Sequence, residues 1–184
     1  MVRRTLRIAV FTALALAAFA LAPDAQAANT AREHAQWVLS RYNNGWGINL
    51  LEYTLGCGCD DGATPADNIR DAAAGRAANR SNYGTAPGGT VTLKHDLLYG
   101  MQKLKERYDH TYRVTAIAGG SHSSTSRHYA GVAFDVDRVN GQVVSFTYPH
   151  GPFQQHCRDL GATEVLGPGD AGHDTHIHCA WPRP

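Results

Sequence analysis

Apolar residues in this chain recur at two spacings, and the spacing changes partway along. In residues 31–42, Ala35, Val38, Leu39 and Tyr42 fall three or four apart, which predicts a helix with one buried face. The stretch 92–108 repeats the pattern with Leu93, Leu97, Met101, Leu104 and Tyr108, and its basic residues gather towards the C-terminal end. Beyond it the spacing turns extended. A strand is predicted at 112–118, two more at 132–139 and 142–148 around the hairpin signal Asn140-Gly141, and others at 163–166 and 175–181. A short helix opening at Pro152 and stopping at Gly161 separates these groups. Residues 56–89 are rich in Gly, Ala, Asn and Asp, and read as loops with a short helix around residues 65–78. Helices first and strands later imply an α+β domain, with helices packed on a small, mainly antiparallel sheet. A loop region this long is either a wall of a binding cleft or a decoration pinned by disulfides.

Composition places the chain outside the cell. Residues 1–27 show a basic start, a short apolar run and Ala25-Gln26-Ala27, the layout of a secretory signal with cleavage before Ala28. The apolar run is shorter than the roughly 20 residues of a spanning helix, and no later stretch could cross a bilayer. Removing this segment takes away Arg3, Arg4, Arg7 and Asp24, leaving 14 basic and 15 acidic side chains and a net charge of −1. A near-neutral secreted protein has no general attraction for nucleic acid or anionic membrane. The expected product is a secreted, extracellular monomer with one domain, in which residues 28–89 extend a core of residues 90–184. Cys57, Cys59, Cys157 and Cys179 are an even set in an exported chain, and two disulfides with three possible connectivities are expected. Cys157 is a candidate partner for Cys179.

Two segments carry candidate chemistry. On a strand through His176–Trp181, His176 and His178 share one face while Ile177, Cys179 and Trp181 turn to the core. On residues 132–137, Val132, Phe134 and Val136 face inward and Asp135 and Asp137 face out. A bend at Tyr129–Gly131 would fold His128 back beside Asp135, with the small Ala133 leaving room for an ion. Two imidazoles and a carboxylate make a common catalytic zinc set, and nitrogen donors suit zinc better than calcium.

The residues Ser126-Arg127-His128-Tyr129-Ala130-Gly131-Val132-Ala133-Phe134-Asp135 resemble the Ser-x-His-x-x-Gly-x-Ala-x-Asp motif of the zinc D-alanyl-D-alanine carboxypeptidases. His176-Ile177-His178 resembles the His-x-His that accompanies it in one branch, and both pieces are similar to the Hedgehog signalling domain, which shares that fold. The resemblance covers about residues 90–181. It implies a Hedgehog/DD-peptidase-like fold, one Zn2+ held by His128, Asp135 and His178, and cleavage of peptides of the bacterial cell wall. It also implies proton handling by His176 and oxyanion stabilisation by His173. Where many members carry a substrate-binding arginine, this chain reads "GGSHSSTSRH". His122, Arg127 and Tyr129 are the candidate substrate contacts in its place. Three readings follow: a secreted zinc metallopeptidase acting on peptidoglycan peptides, a zinc hydrolase of the same fold with another substrate, and a non-catalytic zinc-binding module.

Overall fold

The computed structural model describes residues 23–183. Of the secretory-signal expectation for residues 1–27, residues 1–22 lie outside the described residues. Among the described residues no helix is long and apolar enough to cross a membrane.

Among the described residues, four helices and a mixed sheet make up an α+β fold. Helix α1 (Pro23–Asn43) leads into β1 (Ile48–Leu50), then α2 (Pro65–Ala73) and a small hairpin of β2 (Ala78–Asn79) with β3 (Thr90–Val91). Helix α3 (His95–Glu106) is followed by β4 (Tyr112–Ala116), β5 (Ala133–Val139) and β6 (Gln142–Val143). Helix α4 (Gly151–Asp159), β7 (Glu164–Leu166) and β8 (Ile177–Ala180) complete the chain. The main sheet runs β1-β4-β5-β8-β7, with β6 beside the end of β5.

Two expectations change. Residues 28–89 contribute a strand of the central sheet, because β1 pairs with β4 in parallel register. That parallel pair makes the sheet mixed, and its crossover is long enough to carry α2 and α3. The strand read at 142–148 ends at Val143, since Ser145 and Tyr148 exchange backbone hydrogen bonds and close a turn. The Asn140-Gly141 turn itself is as expected, with φ of 51° and 79° at its two residues.

Local chemistry sets the helix ends. At α2, Thr64 Oγ1 accepts from the Asp67 backbone N–H at 3.1 Å, and Pro65 occupies the first turn, where a missing N–H costs nothing. Helix α1 packs against both α2 and α3. Beneath them Leu97, Leu98, Met101 and Leu104 join Phe134, Val136, Ile177 and Trp181 in the core. Each such side chain contributes about 1.5–3 kcal/mol on burial. Strand alternation then sends Asp135 and His178 to the opposite side of the sheet, away from the helices.

Helix α3 has a glycine at its centre for a steric reason. A Cβ at Gly100 would come within 2.2 Å of the Trp181 indole. Exposed Gly-to-Ala changes in helices stabilise by about 1 kcal/mol. Here the sign inverts, because Trp181 is fully buried and cannot retreat. Gly100→Ala is expected to lower stability by about 1–3 kcal/mol in denaturant titration, the usual cost of overpacking.

Cys57 and Cys59 form a disulfide. The expected second bridge is absent: Cys157 of α4 and Cys179 of β8 are free and fully buried. Burial and a hydrogen bond with Cys157 push the Cys179 thiol well up, which suppresses the thiolate that disulfide exchange requires. Native protein should resist alkylation, and unfolded, unreduced protein should take up two labels per chain by mass. An oxidised Cys157–Cys179 pair would take none.

Candidate metal centre

The site forms where β5 and β8 lie side by side. Antiparallel register sets Asp135 directly opposite His178. The third member arrives by a tight reversal. Residues His128–Ala130 form a 3-10 turn that ends at Gly131 in the left-handed region, φ 69°. A Cβ there would meet the Thr92 carbonyl oxygen at 2.6 Å, so glycine is required for both conformation and space. This is the bend the sequence anticipates, and it brings His128 Nε2 to 3.2 Å from Asp135 Oδ1.

Three potential ligand atoms converge. His128 Nε2 lies 3.1 Å from His178 Nδ1, which is 2.8 Å from the same Asp135 oxygen. Their residues are 1%, 6% and 6% exposed, so water cannot satisfy them. The His128 tautomer is set from behind, where Nδ1–H donates to the Ile117 carbonyl at 2.7 Å. Nε2 is then the nitrogen turned to the site. Burial opposes a charged His128, but the Asp135 carboxylate outweighs it and holds the imidazole pKa above its ordinary value. Burial alone would raise Asp135, and its bonds to His128 and His178 instead hold it well below the usual carboxylate range. A carboxylate and two imidazoles this close together could share a cation.

His122 joins this group. Ligand atoms of His122, His128 and Asp135 lie within 4.8 Å of one another, and the three could hold a metal ion. The His122 ring stacks on His128 with centroids 4.1 Å apart and planes 15° from parallel. An imidazole lone pair lies in its ring plane, so two parallel rings aim poorly at one point. His178 Nδ1 stands beside this group, 3.1 Å from His128 Nε2 and 2.8 Å from Asp135 Oδ1.

A cleft of about 950 Å³ opens above these atoms, within the range of small-molecule sites. Its walls come from Thr54, Leu55 and Gly56, from the 120–127 loop, from Val143 and Leu166, and from His173, Thr175 and His176. The loop-rich N-terminal segment therefore supplies part of a cleft wall. His176 Nε2 sits 3.9 Å from Asp135 Oδ2, on the open side of the site. Burial lowers its pKa, leaving a neutral imidazole near pH 7.

Of the remaining candidate residues, His122, Arg127 and His173 line the cleft and Tyr129 does not. Arg127 lines the cleft, but its Nη1 donates to the Trp181 carbonyl at 3.0 Å and its Nε lies 3.3 Å from Glu164. Two of its guanidinium nitrogens thus have protein partners. Tyr129 is buried; its hydroxyl accepts from the His122 backbone N–H at 2.8 Å and donates to the Gly120 carbonyl at 3.1 Å. It braces the 120–122 loop rather than lining the cleft. His122 gives its Nε2–H to the Gly119 carbonyl at 3.1 Å. In its neutral form it offers substrate only an acceptor. His173 gives its Nδ1–H to the Ala171 carbonyl at 2.8 Å, so it could donate to an oxyanion only as an imidazolium. Asp137 is bound by Arg113, whose Nε donates at 2.8 Å.

Sequence reasoning missed Glu164. Its Oε1 lies 3.2 Å from His178 Nε2, on the diagonal of the β7–β8 pair. The only signal was a lone carboxylate in the short apolar strand "TEVL", which does not by itself name a partner. Comparison with protein-family models, curated proteins and solved structures returns no match for this chain.

The titrations have opposite signs, which predicts a maximum in stability. Burial, with His128 adding to it, lowers His122 from 6.5 to about 4, so between those values the unfolded chain binds the extra proton and stability rises with pH. His128 is raised, so its contribution is complete below 6.5 and is lost as pH climbs through the folded-state value. Chelated protein should therefore melt highest near pH 6.5. His122→Gln should make the acid side of that profile less steep, His176 and Asp135 still contributing to it, while leaving the alkaline side.

Proposed function

We propose that this chain is a secreted zinc hydrolase that cleaves amide bonds in bacterial cell-wall peptides, as its two motifs imply by resemblance. The observation that carries the reading is the triangle of His128 Nε2, Asp135 Oδ1 and His178 Nδ1, with edges of 3.1, 3.2 and 2.8 Å. Tetrahedral zinc with bonds of about 2.0–2.1 Å separates its ligand atoms by roughly 3.3 Å, so the donor set fits with small adjustment. Three protein ligands at the floor of an open cleft are the pattern of a catalytic rather than a closed structural site. Zinc held there would polarise a substrate carbonyl and acidify a bound water.

The chain's own residues account for the rest. His176, neutral and half-buried at the edge of the triangle, is the group suited to take up a proton at Nε2 and return it to the leaving amine. Asp135 faces His176 and would steady the imidazolium formed in between. Leu55, Val143 and Leu166 give the cleft apolar walls, and Ser121, Ser123 and Ser126 give it hydroxyls, a mixture that suits a peptide.

Native protein is expected to carry one zinc per chain by elemental analysis and to release peptide fragments from purified sacculi in a chelator-sensitive manner. His176→Ala should retain zinc but lose at least about a hundredfold in rate. Asp135→Ala should lose both. Melting on chelation without release from any wall type would instead identify a structural zinc domain, and protein purified without metal would end the zinc reading.

A further inference from the structure

Three residues other than glycine hold a left-handed backbone among the described residues: Asp109, Asn140 and His150, with φ of 53°, 51° and 52°. They belong to three separate segments and meet at one buried imidazole, that of His110. Asp109 precedes it in the chain, Asn140 bonds its ring, and His150 faces it. Such conformations cost energy and cluster where a structure is poised to switch. The bonds at His110 show what is held. Thr111 donates its backbone N–H to Asn140 Oδ1 at 2.9 Å, which fixes the amide and turns its Nδ2–H to His110 Nδ1 at 3.3 Å. Nδ1 is therefore an acceptor, and the His110 proton sits on Nε2, which donates to His156 Nδ1 at 2.8 Å. One line of bonds, Asn140–His110–His156, thus joins the β5–β6 turn, the segment leading into β4, and helix α4.

We propose that this line of bonds is an acid-sensitive latch on α4, opened when His110 takes a second proton at Nδ1. That proton would point at the Asn140 amide N–H, and the amide cannot present its oxygen without giving up Thr111. The new charge would also be badly placed. His110 packs edge-on against Phe153 and faces His156 and His150 on the α4 side. Tyr108 stacks on His156 and has the Arg107 guanidinium over its own ring, a further positive charge nearby. Asp109 is the acidic neighbour, but it is exposed and already paired with Lys105. Burial, with His156 and His150 adding to it, lowers the His110 pKa, so the latch is complete above 6.5 and is lost as pH falls towards the folded-state value. Helix α4 packs on β7 and β8, so its release would loosen the layer behind the cleft. None of this depends on a metal.

Hydrogen exchange on the purified protein, corrected for the intrinsic effect of pH, tests the latch with α3 as internal reference. Protection of Gly151–Asp159 relative to His95–Glu106 should fall about tenfold from pH 7 to pH 5. His110→Leu, which keeps an apolar side chain against Phe153 and cannot titrate, should hold that ratio within about twofold. Asn140→Asp gives a sharper contrast and serves if the leucine variant fails to fold. Its carboxylate can accept from Thr111 and from a charged His110 together, so acid should now tighten α4. A wild-type ratio that does not change with pH overturns the proposal. So does a leucine or aspartate variant that loses protection in acid as the wild type does.

Discussion

The pairing of β5 with β8 is the constraint on which the site depends. Asp135 faces His178 across that pair, and Phe134 faces Cys179 on its other side. One register thus sets the core and the ligand atoms together. A slip of one residue would send Phe134 and Ile177 towards the cleft and the carboxylate into the apolar layer under α3. The hydrophobic burial of Phe134, Val136, Ile177 and Trp181 is what holds the polar atoms in place. Stability of the core and geometry of the site are the same interaction seen from two faces of a sheet.

What the core enforces is locally unfavourable. Three acceptor-rich groups meet where water is excluded, and a carboxylate there stays ionised only because two imidazoles answer it. Around them the backbone does the orienting. The Ile117 carbonyl sets the His128 tautomer, the Gly119 carbonyl occupies His122, and the Ala171 carbonyl occupies His173. Each imidazole of the cleft wall is thereby left with a defined acceptor face. Several imidazoles line the cleft, and its arginines have partners of their own. Arg127 is tied to Glu164 and Trp181, and Arg183 bonds the Thr125 carbonyl.

Much of this was legible before folding. Alternation in residues 132–137 and 176–181 assigned each side chain to its face, and Gly131 marked the reversal that returns His128 to Asp135. The helices at 92–108 and 152–160 announced themselves by spacing and by Pro152. Other features were hidden because they depend on partners distant in the chain. No local pattern says that Ile48–Leu50 pairs in parallel with β4, or that Thr54–Gly56 walls a cleft built from the C-terminal half. Tyr129 and Arg127 looked like substrate contacts because both flank the motif. Their hydroxyl and guanidinium are taken up by groups at Gly120 and Trp181 that adjacency in sequence could not reveal.

The sequence by itself determined which residues could share a face and which chemistry they could offer, because strand period and side-chain type are local properties. It marked His128, Asp135 and His178 as a potential set and residues 31–42 and 92–108 as helix formers, within or around the observed Pro23–Asn43 and His95–Glu106. Only the tertiary structure decided that the three atoms meet at about 3 Å, that Cys57 bonds Cys59 while Cys157 and Cys179 remain thiols, and that Glu164 stands behind His178. Those outcomes rest on strand register and on the direction of individual bonds. The bonds that join Asp135 to His178 and Arg127 to Trp181 link residues 43 and 54 apart in the chain, a separation that no local window contains.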